Sequence, residues 1–314
     1  MILKRNELLF ASVVFLFAFC LILFLPKGED YKQYLHNFST SNTKSVVLNM
    51  TSEILNVLGF TPMLQVATVS MISLVFTVNS AILLEKIFQI NRLYFFSILV
   101  IPNFGNDWLS HVRSNLGQMI VVFAVCALIY HKKYLWILLT TAVAPLIHIA
   151  TIMPLLAMVT FYWIIRQLFY IISFVTLALC LFLFYYSEDV LTQLLYLTQH
   201  PLLNYYFYNK LVPNLSILAV IEKIALSAVI FLQAFRFNSV NFKIFAALYF
   251  VGVLLFCSFS FDPNMAGRIS KPFNYYGYVC LLVIFSQFRP RISGVIFLQV
   301  FLGLKLLSSI RYLL

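Results

Sequence analysis

Apolar runs of close to twenty residues recur along almost the whole chain, beginning with Leu8 to Leu25 and ending with residues 292–310. An α-helix needs about 20 such residues to cross the hydrocarbon core of a bilayer. In lipid, moreover, only helices and closed barrels satisfy every backbone N–H and C=O. The runs therefore predict an all-α fold, a polytopic membrane bundle of about 10–11 transmembrane helices with short external interfacial helices. Of the 314 residues 62% are hydrophobic and 10% charged, too few charges for a soluble domain. The chain is expected to be one integral membrane domain, 1–314, with the bilayer as its solvent.

The candidate crossings are 8–25, 62–84, 93–105, 113–130, 134–148, 150–165, 168–186, 213–235, 242–261, 273–288 and 292–310. Lys4 and Arg5 precede the first run as in a secretory signal, but no small-x-small cleavage site follows it, so it reads as a retained span. Pro145 and Pro154 break the Lys133–Arg166 stretch. Two short crossings there keep Lys86, Arg92, Lys132, Lys133, Arg166, Arg236, Lys243, Arg289 and Arg291 on the cytoplasmic side, as the positive-inside rule requires. Two external loops follow, 26–61 and 187–212. Ser52 to Phe60 in the first and Val190 to Leu197 in the second suggest short helices in the headgroup plane, or simple packing over the bundle.

The net charge of +11 is scattered between the apolar runs and forms no stripe, which excludes a nucleic-acid face. The five cysteines lack metal or disulfide spacing. No Gly-rich phosphate loop, paired-Asp metal motif or serine elbow occurs, so the sequence implies no metal and no cofactor.

Ionisable side chains at membrane depth are costly and usually functional. With this topology several gather outside: Asp30, Glu53, the Asn106–Arg113 segment, His148, Glu188, Asp189, Arg268 and Lys271. Arg113 shares a helical face with Gly117 and Gln118, an arrangement suited to an anion held against a closely approached backbone. Arg268 and Lys271 stand at a matching depth. A guanidinium binds a diphosphate bidentately; the plainer reading of all three cations is snorkelling to headgroup phosphates. His148 suits proton transfer or a buried hydrogen bond. Asp30 suits a base or a solvated loop carboxylate, and Glu53 has the same plain reading. Tyrosines such as Tyr275 fit an interfacial belt or stacking on sugars.

The order of these features carries a resemblance. An amino-terminal span is followed by Gly28-x-Asp30-Tyr31-x-x-Tyr34, then Ser52-Glu53-Ile54-Leu55. A span opened by Arg113 comes next, then Lys132-Lys133 leading to His148, then a late Arg268 followed by tyrosines. Over nearly its whole length the chain resembles the EpsG and Wzy type of bacterial polysaccharide (O-antigen) polymerases. The resemblance implies a GT-C-like bundle in the bacterial inner membrane, with its active site facing the periplasm. It implies a metal-independent glycosyltransferase joining undecaprenyl-diphosphate-linked oligosaccharides, donor and acceptor alike, into O-antigen or a related surface polysaccharide, with a chain-length regulator protein as partner. Arg113, Arg268 and Lys271 would then bind the diphosphate, His148 and Asp30 would be catalytic, and Glu53, Gln118 and Tyr275 would contact substrate. A flippase or exporter of the lipid-linked glycan and a membrane acyltransferase are the alternatives.

Overall fold

The computed structural model describes residues 5–27, 30–40, 45–131, 142–148, 151–158, 169–171, 173–176, 178–180, 182, 186, 193, 217–237, 239–260, 263–288 and 291–310. The loop 187–212, except Gln193, lies outside them, as do Lys132, Lys133, Arg166, Glu188, Asp189 and Asp262. All regular structure among the described residues is helical. The chain packs as two compact units, Met1–Leu155 with Phe285–Leu314, and Leu156–Ile284.

Four helices are long and apolar enough to cross a membrane by length and composition: Asn6–Lys27, Pro62–Phe88, Val112–His131 and Val240–Ser258. In the first unit α1 (Arg5–Phe24) exposes Leu8, Leu9, Phe15, Leu16, Phe19 and Leu23, a face that only an apolar solvent tolerates over such length. Its other face packs by edge-on rings: Phe10 and Phe17 on Phe96, and Phe17 on Trp108 at 5.2 Å. The first external loop folds into two short helices, α2 (Tyr31–Ser39) and α3 (Val46–Val57). Ser45 caps α3 by accepting the Leu48 N–H, and its hydroxyl donates to the Leu146 carbonyl at 2.8 Å. α3 buries Leu48, Ser52 and Leu55 and exposes Val46, Met50, Ile54 and Val57. Apolar on both faces, it has the pattern of a helix lying between protein and lipid.

α4 (Pro62–Phe88) starts at a Thr61 cap followed by proline at the first helical position. Ser70, Ser73, Thr77 and Ser80 are buried on one stripe, and each hydroxyl donates to the carbonyl four residues back. The stripe is small and self-satisfied, which lets α4 lie close against α6 (Val112–His131). Gln89, in the left-handed region at φ 58°, ends α4. Glu85 accepts from Arg92 at 2.6 Å across the turn into α5 (Arg92–Val100).

The sequence predicts a crossing over 93–105 and an external segment from Asn106. Instead α5 stops before Pro102, and the chain passes through Ile101–Asn103 into a π-helical turn, Phe104–Ser110. Its wide winding turns Asp107, Trp108, Leu109 and Ser110 inward, all buried. The last helix, α10 (Arg291–Ile310), packs against this turn.

The second unit contains α7 (Ile217–Phe237), α8 (Val240–Ser258) and α9 (Pro263–Ser286) up to Ile284. α9 begins ten residues before the predicted span 273–288, because a polar turn extends a helix that hydropathy alone would start later. Pro272 sits inside it, which removes the donor for the Arg268 carbonyl. Two glycines bring α8 and α9 together: Gly252 abuts Phe273, and Gly277 abuts the Tyr249 ring.

Ala at position 252 would place its methyl on the Phe273 Cβ, which cannot swing aside. Gly252→Ala is therefore expected to cost about 1–3 kcal/mol of overpacking, more than the roughly 0.5–1 kcal/mol gained in helix propensity. Gly303→Ala, with open space around it, should keep the gain. Thermal unfolding in detergent checks both, with the two variants moving in opposite directions.

Candidate functional site

The start of α6 gathers the polar side chains of the first unit. His111 is the residue before the helix, and its carbonyl accepts the Asn115 N–H at 2.9 Å. Its imidazole Nε2 lies 3.7 Å from Asp30 Oδ2, with both side chains more than a third exposed, at 41% and 36%. Asp30 precedes α2, and one turn later Tyr34 reaches Arg113, whose backbone N–H donates to the phenol oxygen. The first N–H groups of a helix have no partner within it, so Tyr34 caps α6 from outside. Burial pushes the Tyr34 phenol up to about 12, opposed by the Arg113 guanidinium and assisted by the Asp30 carboxylate.

One turn after Arg113, Gly117 lets a second segment in. Helical residues 142–147 end at His148, and a helical stretch resumes at 151. A Cβ at 117 would stand 3.0 Å from Thr151 Cγ2 and 3.2 Å from His148 Cβ. Thr151 closes the break by donating its hydroxyl to the His148 carbonyl at 2.7 Å. His148 is thus held, half-buried, on the helix face that Arg113 occupies one turn earlier. Gln118 is buried and donates its amide to Ser114 Oγ at 2.8 Å. Its Oε1, with Asn115 Oδ1 and Trp108 Nε1, is buried without a hydrogen-bond partner among the described residues.

Of the residues singled out from sequence, Asp30, Arg113, Gln118 and His148 lie in this region of the first unit. Glu53 belongs to the same unit but is exposed on α3, next to the buried Ser52 that bridges Phe38 and Gln65. Arg268, Lys271 and Tyr275 belong to the second unit, on α9: the first exposed, the second half-exposed, the third fully buried. Tyr275 has its ring edge on Tyr278 at 6.4 Å, a packing role that leaves no face open.

Two residues carry more than the sequence reading assigned them. His111 stood in a polar segment without a role, and nothing in the spacing of Asp30 and His111 signals their approach. Tyr34 stood only in the motif. Among the described residues no group of three or more His, Cys, Asp or Glu side chains gathers.

Compared with protein-family models, with curated proteins and with solved structures, the chain matches none.

An acid held protonated by burial withdraws stability at alkaline pH. The folded-state value near 12 lies above the ordinary 10.0, so the contribution is complete below pH 10.0 and is lost as pH rises towards about 12. Tyr34→Phe should flatten that fall and cost about 0.5–1.5 kcal/mol at neutral pH for the lost hydrogen bond. Unfolding midpoints of both proteins measured against pH check the sign.

Proposed function

We propose that this chain is a polysaccharide polymerase of the inner membrane, a multi-pass protein that joins lipid-diphosphate-linked oligosaccharide units on the periplasmic side. The observation that carries the reading is the grouping at the start of α6. A guanidinium, an Asp–His pair and a second imidazole, drawn from three separate stretches of chain, stand at one end of an otherwise apolar helix. The resemblance to EpsG and Wzy type polymerases, which the order of motifs supports, supplies the substrate class.

In the proposed reaction an acceptor hydroxyl attacks the anomeric carbon of the donor glycan. The new C–O bond forms as the bond to the diphosphate breaks, and the leaving lipid diphosphate takes the electron pair. Arg113 stabilises the charge that grows on the departing phosphate oxygen, helped by the positive end of α6. His111 takes the hydroxyl proton, and the Asp30 carboxylate stabilises the imidazolium. His148, beside Gly117, orients the acceptor. Arg268 and Lys271, on α9 of the second unit, are by the same resemblance cations for lipid-borne phosphate. Glycosyl transfer from such a donor consumes no nucleotide sugar.

The test is direct. Purified protein and defined lipid-linked repeat units should yield a ladder of longer glycans. Arg113→Ala and Arg268→Ala should insert and fold normally yet abolish lengthening. Asp30→Asn and His111→Gln should each lower kcat by about 10²–10⁴. A full-length polymer from both arginine variants would overturn the reading. Transport without new glycosidic bonds would point to a flippase or exporter, and an acylated product of unchanged length to an acyltransferase.

A further inference from the structure

Lys223 follows Glu222 in α7, and the residues around this charged pair are otherwise apolar, from Ala219 to Ile221 before it and from Ile224 to Leu226 after it. A charged side chain among apolar helices is costly and marks function more often than packing. Its ammonium donates to Asn274 Oδ1 at 2.8 Å and lies 4.7 Å from the centre of the Phe256 ring. Three helices of the second unit, α7, α8 and α9, thus meet at one cation.

The α9 partner lies on an unusual face. Gly267, Lys271, Asn274 and Tyr278, spaced at i, i+4, i+7 and i+11, are all half-exposed. Ser270, Phe273, Gly277 and Cys280 are buried on the other side. A half-exposed stripe that carries a lysine and an asparagine is unsuited to lipid and suits a cleft open to water or a polar ligand. Lys271 and Asn274 are about 4.5 Å apart along the axis. Because an ammonium only donates, Asn274 must turn its carbonyl to Lys223, which leaves its amide N–H groups as donors on the same stripe. An ammonium bonded to a neutral amide, with a second lysine three residues before that amide on the same stripe of α9, suits a tetrahedral oxyanion: charge for affinity, N–H donors for orientation. Phe256 holds the first cation through its ring face.

We propose that Lys223, Asn274 and Lys271 form a phosphate-binding site in the second unit, which takes the phosphate or diphosphate group of a membrane lipid. The site deepens the polymerase reading and rests on it only for the identity of that lipid.

The experiment measures binding of farnesyl diphosphate to the full chain in nanodiscs of neutral lipid, with inorganic pyrophosphate and phosphatidylglycerol as competitors. Lys223→Gln should weaken binding roughly tenfold or more, the size of one charge-assisted hydrogen bond, and Lys223→Arg should restore most of it. Asn274→Asp keeps a partner for Lys223, so the fold should hold, but its negative charge should repel phosphate and abolish binding. A purely structural Lys223–Asn274 contact would leave binding unchanged in that variant, which would overturn the site. So would wild-type affinity in a folded Lys223→Gln protein. Competition by pyrophosphate alone assigns the site to a diphosphate, and equal competition by phosphatidylglycerol to a phospholipid headgroup; both support a lipid-phosphate site. Diphosphate binding through Lys223 without any glycan ladder would remove the polymerase reading and leave the site. A ladder with Lys223→Gln binding unimpaired would do the reverse.

Discussion

A polar side chain set among apolar helices must find its partners inside the protein, because the surroundings offer none. Much of the structure follows from how each such group meets that demand. The serines and threonine of α4 satisfy themselves on their own helix, so they cost little and leave a smooth stripe for α6. Gln65 solves the same problem at the α3–α4 corner by bonding Ser52, Asn56 and the Phe60 carbonyl. These groups are structural: each has its partner close in sequence, and none is strongly charged.

The charged groups behave differently. Asp30 comes from a segment far before His111 and Arg113 in the chain and meets them where α6 begins, at the positive end of its dipole. Lys223 crosses to another helix for its amide and to a third for its ring. Long-range pairing of this kind orders several elements at once, which is a cost that a purely structural role seldom requires. That contrast separates the proposed chemistry from the packing around it.

Glycine decides where elements approach. Gly117 admits the His148 turn to the Arg113 face, while Gly252 and Gly277 seat Phe273 and Tyr249 between α8 and α9. In each case the absence of one carbon sets a helix spacing. The aromatic residues, abundant in the sequence, divide accordingly: Trp108, Phe273, Tyr275 and Tyr276 fill the interior, whereas Phe15 and Phe19 face outward.

The apolar runs alone determined that the chain is helical, roughly where α1, α4, α6, α8 and α10 lie, and that Asp30, Arg113, His148, Arg268 and Lys271 merit suspicion, since hydropathy and the cost of charge in lipid are local properties. Local rules could not reach the rest. The π-helical turn that buries Asp107 and Trp108 depends on the rings of α1 packing beneath it, and the long α9 depends on backbone hydrogen bonding through a polar turn. The Asp30–His111 approach, the Tyr34 cap and the Lys223–Asn274 bond join residues dozens of positions apart, and no periodicity encodes such distances. The sequence determined which side chains would be expensive to hold in an apolar surrounding; only the tertiary structure decided which neighbours meet that cost, because the partners are brought together by packing.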